Sequence, residues 1–326
     1  MPTITSISFN KNIPESFSFT TAKEYVYQVP IVKNENDIKI FNKKLESNSN
    51  KINNLLSSND IITNVISYPP DGTLECLLVQ KGNTSSEIIV TAMGNQLVDR
   101  YKLLNYCDTI VWNHNEIDND KIGCKQLNSI HIYNVEIGAI TFNFICNNIT
   151  DFRWDLKNHN YIYACDFNGI ITLQDLRVIK GIKFGEIIDK SNKCQIELID
   201  NYALVTSMKE VCKIYDVRNQ KIIKNFKLNS SNVSKDLLPP YNSYINCPIF
   251  KVHNMNNNYL YLYKHGTDFY AKKMSKSLDD IGDEDIYIQT RHIYDINDFD
   301  IHSTLNYLTS VRDGIDVYNL GELFKK

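Results

Sequence analysis

The chain has 326 residues, of which 43% are hydrophobic and 22% are charged, and its formal net charge is −3. This composition is normal for a globular protein with a sizeable core, and neither the net charge nor any dense run of Lys and Arg favours a nucleic-acid partner. No stretch approaches the roughly 18 apolar residues of a membrane helix, and the first residues lack the layout of a signal peptide. We therefore expect an intracellular protein of the nucleus, the cytoplasm or both.

The N-terminal residues 3–9 alternate between apolar and polar side chains, as a half-buried strand does. Two further strand-like runs follow, at 17–20 and 25–27, with a turn between them. Residues 3–9 belong to no repeat of their own. We therefore expect this strand to complete a sheet formed elsewhere in the chain.

Three stretches in the middle of the chain end alike: SIHIYNVE, GIITLQDLR and VCKIYDVR. Their polar closing residues are Asn134, Asp175 and Asp216, which are separated by a constant step of 41 residues. A period of about 40–45 residues that closes an alternating strand is typical of the blades of a β-propeller.

The repeat around Asp175 shows the expected internal pattern most clearly. Strand-like residues 161–165 and 170–175 flank a turn that contains Asn168 and Gly169. Asn-Gly favours a tight hairpin in which both turn residues have positive φ. Similar hairpins are predicted for 202–216 and 307–319, with weaker copies at 17–27, 87–103 and 259–272.

These repeats predict an all-β fold, a seven-bladed β-propeller that forms a single domain over 1–326. The expected blades are 15–34, 61–104, 105–145, 150–188, 195–228, 245–275 and 290–320. The last of them ends shortly after Asn319 and lacks an outermost strand, so we expect residues 3–9 to complete it and close the ring. Closure would remove an exposed sheet edge.

The chain resembles the WD-repeat β-propellers, most clearly over 120–225 and 290–326. The Trp of the family's Trp-Asp pair is replaced by Tyr133, Gln174, Tyr215 and Tyr318. Asn replaces the acid in two copies, and the Gly-His pair that opens a repeat is missing. The resemblance therefore implies a divergent propeller that is held together mostly by apolar packing.

Polar inserts interrupt the repeats near 34–60, 228–244 and 275–285, and we expect them to be solvated loops or partner-binding arms. The first insert contains apolar positions at the spacing of a short amphipathic helix. The third is acidic, but it lacks the ligand pattern of a calcium loop.

No catalytic, cofactor or metal motif is present in the sequence. The eight cysteines form no CxxC pair and are predicted to be small buried residues. The seven histidines are well separated. We therefore expect no cofactor, no metal and no enzymatic activity. A propeller-type hydrolase, the less favoured alternative, would need ionisable side chains that converge at the mouth of the central channel.

Two arginines stand at matching positions of consecutive repeats, in Asp175-Leu176-Arg177 and Asp216-Val217-Arg218. Each follows a closing strand, so both are predicted to lie on the bottom face of the propeller. Each could simply pair with its local Asp, or the two could form a protein interface. Such boxes resemble those of WD-repeat substrate receptors of cullin-RING ubiquitin ligases.

The opposite, top face is predicted to carry the turns inside the blades. The residues expected there are Lys23, Asn95, Asn168, Lys209, His265 and Arg312. Lys209, His265 and Arg312 make this face mildly positive, so an acidic or phosphorylated peptide is a candidate ligand. The sequence thus favours a non-catalytic protein-interaction scaffold or complex subunit, with a ubiquitin-ligase substrate receptor as the alternative.

Overall fold

The fold is known from a computed structural model. It describes residues 4–9, 16–21, 23, 25–30, 32–34, 37–39, 53–67, 73–92, 96–115, 120–126, 128–178, 180–186, 194–200, 203–208, 211–227, 250–255, 257–265, 267–278, 280–282, 286–289, 296–302, 307–311 and 315–323.

The described chain is built almost entirely of antiparallel strands, which pair in chain order within separate sheets. Sheet 1 contains β1 (Ile4–Phe9), β2 (Ser16–Thr21) and β3 (Tyr25–Pro30), and a small hairpin of β4 (Val32–Asn34) and β5 (Asp37–Lys39) follows it. Sheet 2 contains β6 (Asp60–Ser67), β7 (Leu74–Lys81), β8 (Ser85–Ala92) and β9 (Gln96–Leu103). Sheet 3 contains β10 (Cys107–Trp112), β11 (Lys121–Gln126), β12 (Ser129–Asn134) and β13 (Ala139–Ile145).

The remaining sheets repeat the same meander. Sheet 4 contains β14 (Ile149–Trp154), β15 (Tyr161–Asp166), β16 (Ile170–Asp175) and β17 (Ile182–Glu186). Sheet 5 contains β18 (Gln195–Ile199), β19 (Ala203–Met208), β20 (Val211–Asp216) and β21 (Lys221–Lys227). Sheet 6 contains β22 (Phe250–Asn254), β23 (Asn258–His265), β24 (Asp268–Ser275) and β25 (Ile286–Ile288). Sheet 7 contains β26 (Asp298–Ile301), β27 (Tyr307–Val311) and β28 (Ile315–Asn319), and the short helix α1 (Leu320–Leu323) follows.

This arrangement is a β-propeller, which confirms the all-β expectation, but the predicted count of seven blades is wrong. Among the described residues, five sheets have the four strands of a full blade. The sheets at the two ends of the chain, sheets 1 and 7, have three strands each. The repeat count failed because it counted hairpins, and the hairpins β2–β3 and β27–β28 belong to sheets that have no fourth strand among the described residues.

The predicted closure of the ring is also wrong. The N-terminal strand β1 does not complete the last sheet; it pairs with β2, with Ile7 opposite Phe19 and Phe9 opposite Phe17. It is therefore the first strand of its own sheet. Its contact with sheet 7 is made instead through side chains, because Asp298 accepts hydrogen bonds from the backbone N–H of Ile7 at 3.0 Å and from the Ser6 hydroxyl at 2.7 Å.

Polar side chains on the first strands join several neighbouring sheets in the same way. The Ser6 hydroxyl oxygen accepts the N–H of Val65 in sheet 2 at 3.3 Å. Asp151 accepts the N–H of Ile196 in the next sheet at 3.1 Å. These buried bonds fix the first strand of one sheet against the first strand of the next.

The hydrophobic core lies largely between the sheets, with one cluster of described residues between each pair of neighbours from sheet 2 to sheet 7. Strand β7 is buried at six consecutive positions because both of its faces pack against other strands. Between sheets 3 and 4, the packing is so close that a Cβ on Gly123 would lie 2.5 Å from a ring carbon of Phe152. No larger residue fits at position 123 without a shift of the Phe152 ring.

The step of 41 residues corresponds to a definite place in the blades. Asn134, Asp175 and Asp216 each end the third strand of a sheet. In the hairpin between β15 and β16, however, only Gly169 has a positive φ, of 74°. The Asn168 N–H donates to the side chain of Asp166, so this turn has three residues and the expectation for Asn168 is wrong.

The inserts are described only in part. Leu55 and Leu56 of the first insert pack against the cluster that contains Ile62, and residues 40–52 and 228–249 lie outside the described residues. The acidic third insert is not wholly a solvated loop, since Leu278 is buried in a core cluster with Met274. In the described part of the chain, no helix has the length and apolarity required to cross a membrane.

Candidate protein-binding rim and central channel

The connections between third and fourth strands share a local design in sheets 3, 4 and 5. The Asn134 side-chain oxygen accepts the N–H of Ile137 at 2.7 Å. Asp175 and Asp216 accept the N–H groups of Arg177 and Arg218, each at 2.9 Å. An Asp or Asn side chain that bonds the backbone two or three residues ahead stabilises a tight turn, so these side chains are the physical cause of the repeated signal.

Arg177 and Arg218 also form ion pairs with these same aspartates. The guanidinium of Arg177 donates to Asp175 from Nε and Nη2, at 2.9 and 2.7 Å, and that of Arg218 donates to Asp216 at 3.2 and 3.1 Å. Hydrogen bonds from the arginines lower the pKa of both carboxyl groups. The first of the two interpretations of the sequence, that each arginine pairs with its local aspartate, is therefore correct for both boxes.

These ion pairs leave the arginines largely accessible. The side chains of Arg177 and Arg218 are 59% and 63% exposed, whereas those of Asp175 and Asp216 are 21% and 15% exposed. Each aspartate thus holds the guanidinium of its arginine in one orientation, and the arginine shields the aspartate from solvent. The structure presents both groups at equivalent places of consecutive sheets, in an arrangement that suits recognition of a partner.

Exposed aliphatic side chains lie on the same connections as the two arginines and on the fourth strands that follow. We call this surface, formed by the third-to-fourth-strand connections of sheets 3, 4 and 5 and the first three residues of β13, β17 and β21, the rim. Its exposed aliphatic residues are Ile137, Ile140, Val178, Ile182, Ile222 and Ile223. Isolated surface aliphatics are common, but a repeated set beside oriented arginines has the composition of a protein interface.

The predicted top-face set is only partly described. Lys209 and Arg312 lie outside the described residues, and His265 is described only as the last residue of β23. Lys23 is exposed, and its ammonium donates to the carbonyl oxygens of Ser58 and Asp60 at 2.6 and 2.7 Å. The peptide-binding role of this face stays a prediction.

Asn95, another member of that set, lies outside the described residues.

A cavity of about 580 Å³ occupies the centre of the propeller. The first strand of each of the seven numbered sheets lines it, so it is the central channel. Trp112 and Trp154, the two tryptophans of the chain, both lie in its wall. Pockets of this size accommodate small molecules or single side chains.

Sheets 4 to 7 supply a charged half of the channel wall. Arg153 donates to Asp151 at 2.7 Å and reaches Glu197 in the next sheet at 3.4 Å from both Nε and Nη2. The Lys251 ammonium donates to Asp300 at 2.6 Å. Acidic and basic side chains thus alternate along four consecutive first strands.

The pKa shifts follow from burial and from these pairs. Burial raises the pKa of Glu197, and the nearby Arg153 and Lys251 only partly oppose the rise. Burial also raises the pKa of Asp298 to about 6, against the opposing effect of Lys251. Burial lowers the pKa of Lys251, but attraction to Asp300 and Asp298 outweighs it, so the net shift is upward and the ammonium stays charged.

The opposite half of the wall is neutral. The described lining residues of sheets 1, 2 and 3 include no Asp, Glu, Lys or Arg. Its apolar lining residues are Ile7, Phe9, Val65, Ile66, Ile110, Val111 and Trp112. The channel is therefore amphipathic.

Sequence reasoning did not find the channel residues, although one signal existed. In the first strands ITDFRW and DFDI, two charged residues stand two positions apart and therefore face the same side. The surrounding sequence does not show whether this side faces the channel or the solvent. Only the assembled ring shows that it faces the channel.

Cysteine burial agrees with the prediction for the described cysteines. Cys76, Cys107, Cys124, Cys165, Cys194 and Cys212 are free and buried, and Cys146 is partly buried. Cys247 lies outside the described residues. Within the described ranges, no three His, Cys, Asp or Glu side chains are grouped so as to hold a metal ion.

Comparisons with known proteins support the fold and no finer class. No protein-family model matches the chain, and no curated protein matches it. A chain of a solved structure described as "Crystal Structure of Mitotic Checkpoint Complex" is similar, with a TM-score of 0.63 and 7% identity, over 96% of this chain and 88% of that one. The class defined by fold and comparison is therefore a β-propeller. Because 1249 solved chains match, the likeness does not select a function.

Proposed function

We propose that this protein is a non-catalytic interaction scaffold whose rim binds a protein partner. The observation that carries the proposal is the pair of exposed arginines, Arg177 and Arg218, each oriented by its own aspartate. Arginines held in advance lose less side-chain freedom when they bind. Since the guanidinium groups face outward, a partner that presents carboxylates beside apolar side chains fits this surface.

A differential pull-down tests this proposal. We would compare the partners recovered from cells of the source organism by the wild type, by the Arg177→Ala/Arg218→Ala double variant and by a Lys102→Ala/Lys273→Ala control. The control removes two exposed cations outside the rim. We expect partners that the rim variant loses and the control keeps. Recovery of the same partners by all three proteins, at equal melting temperature, would contradict the proposal.

A narrower role is substrate receptor of a cullin-RING ubiquitin ligase. The matched geometry of the two Asp-x-Arg boxes in consecutive sheets favours it. This role predicts that a ligase adaptor is among the partners lost by the double variant. If other partners are lost but no adaptor is ever recovered, the receptor role is wrong and the scaffold proposal stands.

The alternative to a binding protein is an enzyme, a propeller-type hydrolase, and the residues of the channel test it. Ionisable side chains do converge there, as that alternative requires. However, Arg153 and Lys251 both contact carboxylates, and the oxygens of Asp298 accept hydrogen bonds from Ser6, Ile7 and Phe299. These contacts hold the ionisable groups against one another and against the backbone. We therefore infer a binding role, and turnover of an ester or peptide substrate by the purified protein, abolished by Glu197→Gln, would overturn it.

A further inference from the structure

The channel carries more acid than base. Its described lining includes four carboxylates, Asp151, Glu197, Asp298 and Asp300, and two permanent cations, Arg153 and Lys251. Three of the carboxylates have close donors: Asp151 accepts from Arg153 at 2.7 Å, Asp300 from Lys251 at 2.6 Å, and Asp298 from the Ser6 hydroxyl at 2.7 Å.

Glu197 is the carboxylate with the weakest contacts in this set. It receives two long hydrogen bonds, both 3.4 Å, and both reach the same oxygen, Oε2. Its raised pKa, caused first by burial, shows that the nearby cations do not fully compensate its charge. Such a carboxylate gains from an additional cation.

The wall opposite Glu197 adds an apolar surface. Val65, Ile66 and Val111 line that side of the same cavity. The cavity therefore offers an uncompensated carboxylate on one side and aliphatic side chains on the other, as a ligand with a cationic head and an apolar stem requires.

From this geometry we propose that the central channel binds one ammonium or guanidinium group carried on an apolar stem. Glu197 receives the cationic head, and the neutral wall contacts the stem. This site is separate from the rim, and its failure would leave the rim proposal intact. The cation can belong to a free amine or to the side chain of a peptide.

Tryptophan fluorescence provides a specific readout, because both tryptophans of the chain line the channel. We would titrate the full chain with hexylammonium, and with 1-hexanol and hexanoate as matched neutral and anionic probes. Hexylammonium is expected to give a saturable change, and the other two probes a change at least tenfold weaker in apparent affinity. No saturable change with hexylammonium at millimolar concentration, or equal binding of hexanoate, would overturn the proposal.

Variants assign the binding to Glu197. Glu197→Gln is expected to weaken hexylammonium binding at least tenfold, whereas Glu186→Gln, which changes an exposed carboxylate on β17, is expected to have no effect. Equal binding by Glu197→Gln and wild type would refute the assignment. If Glu197→Gln does not fold, Ile66→Lys places a competing ammonium in the neutral wall and should also abolish binding; retained binding would then count against the site.

The source of the cation is decided by a second probe. A short N-acetylated, C-amidated peptide with one central lysine would be compared with hexylammonium in the same assay. Tighter binding of the peptide indicates a peptide ligand, and tighter binding of the free amine indicates a small molecule. Either result supports the shared chemistry, because hexylammonium binds in both cases; without saturable binding of hexylammonium the proposal is overturned.

Discussion

Asp298 and Ile7 are separated by 291 positions in the chain, yet the Asp298 carboxylate accepts the backbone N–H of Ile7 at 3.0 Å. This bond joins sheet 7 to sheet 1. It makes the first and last sheets neighbours without a strand shared between them. Asp300 adds a second link between these sheets, because it accepts the N–H of Phe9 at 2.8 Å, and the stability of the propeller is expected to depend on both carboxyl groups.

Asp298→Ala is expected to lower the free energy of unfolding by about 2–4 kcal/mol, because it leaves the buried N–H of Ile7 and the hydroxyl of Ser6 without their acceptor. Urea unfolding followed by circular dichroism measures the change. Asp316→Ala, at a partly exposed position of β28, is the control and should cost much less. Equal losses for the two variants would show that the Asp298 contact is dispensable.

The pH dependence of stability should also involve Asp298. Its pKa is about 6 in the folded protein, above the ordinary 3.8, so folding favours its protonated form. This contribution is complete below about pH 4 and is lost as the pH rises through 6. The difference in unfolding free energy between wild type and Asp298→Asn should therefore fall by up to about 3 kcal/mol from pH 4 to pH 7. A difference that stays constant or grows over this range would refute the assignment.

A buried ion pair and an exposed one should respond differently to the same substitution. Glu87 is 1% exposed and accepts hydrogen bonds from Arg100 at 3.0 and 2.8 Å. Arg100→Ala should cost about 2–3 kcal/mol because the carboxylate stays buried with less compensation. Arg177→Ala, which removes an exposed partner, should leave the unfolding midpoint unchanged.

The same carboxylate predicts the pH dependence of the Arg100 effect. Burial raises the pKa of Glu87, but the bonds from Arg100 and Lys81 outweigh it, and the net pKa lies below the ordinary 4.5. The stabilisation is therefore present above pH 4.5 and is lost as the pH falls through the lowered pKa. The cost of Arg100→Ala, measured by urea unfolding, should shrink in acid; a cost that is independent of pH would contradict the ion-pair explanation.

Gly123→Ala tests the packing between sheets 3 and 4. The added methyl group would overlap the Phe152 ring, with contacts of 2.5 and 2.9 Å, so we expect a loss of about 1–3 kcal/mol. Gly282→Ala is the matched control, since its methyl group would meet only the Lys273 carbonyl oxygen at 3.5 Å. Thermal unfolding compares them, and similar midpoints for both variants would mean that the two sheets are less tightly packed than described.

Thiol reactivity tests the burial of the cysteines. Burial raises the pKa of Cys146 to about 11, and it also raises the pKa values of Cys76, Cys124 and Cys212, which are fully buried. In native protein at pH 8, iodoacetamide should modify Cys146 slowly and these three not at all, as measured by peptide mass spectrometry. All four should react in urea. Rapid native labelling of Cys124 would refute the burial between sheets 2 and 3.

The sequence by itself determined the strands, most hairpins and the place of Asn134, Asp175 and Asp216 at the ends of third strands. These features depend on neighbours in the chain: alternation within a strand, turn residues, and side chains that bond the backbone two or three residues ahead. The positions of Arg177 and Arg218 beside their own aspartates could be predicted for the same reason.

Only the tertiary structure decided which sheets are complete, where β1 belongs and what lines the channel. Asp298 meets Ile7 across 291 positions, and Arg153 meets Glu197 across 44. Contacts between sheets are set by the geometry of the ring rather than by local periodicity. The alternation of a first strand shows that Arg153 shares a face with Asp151, but only the assembled sheets make that face the wall of a cavity.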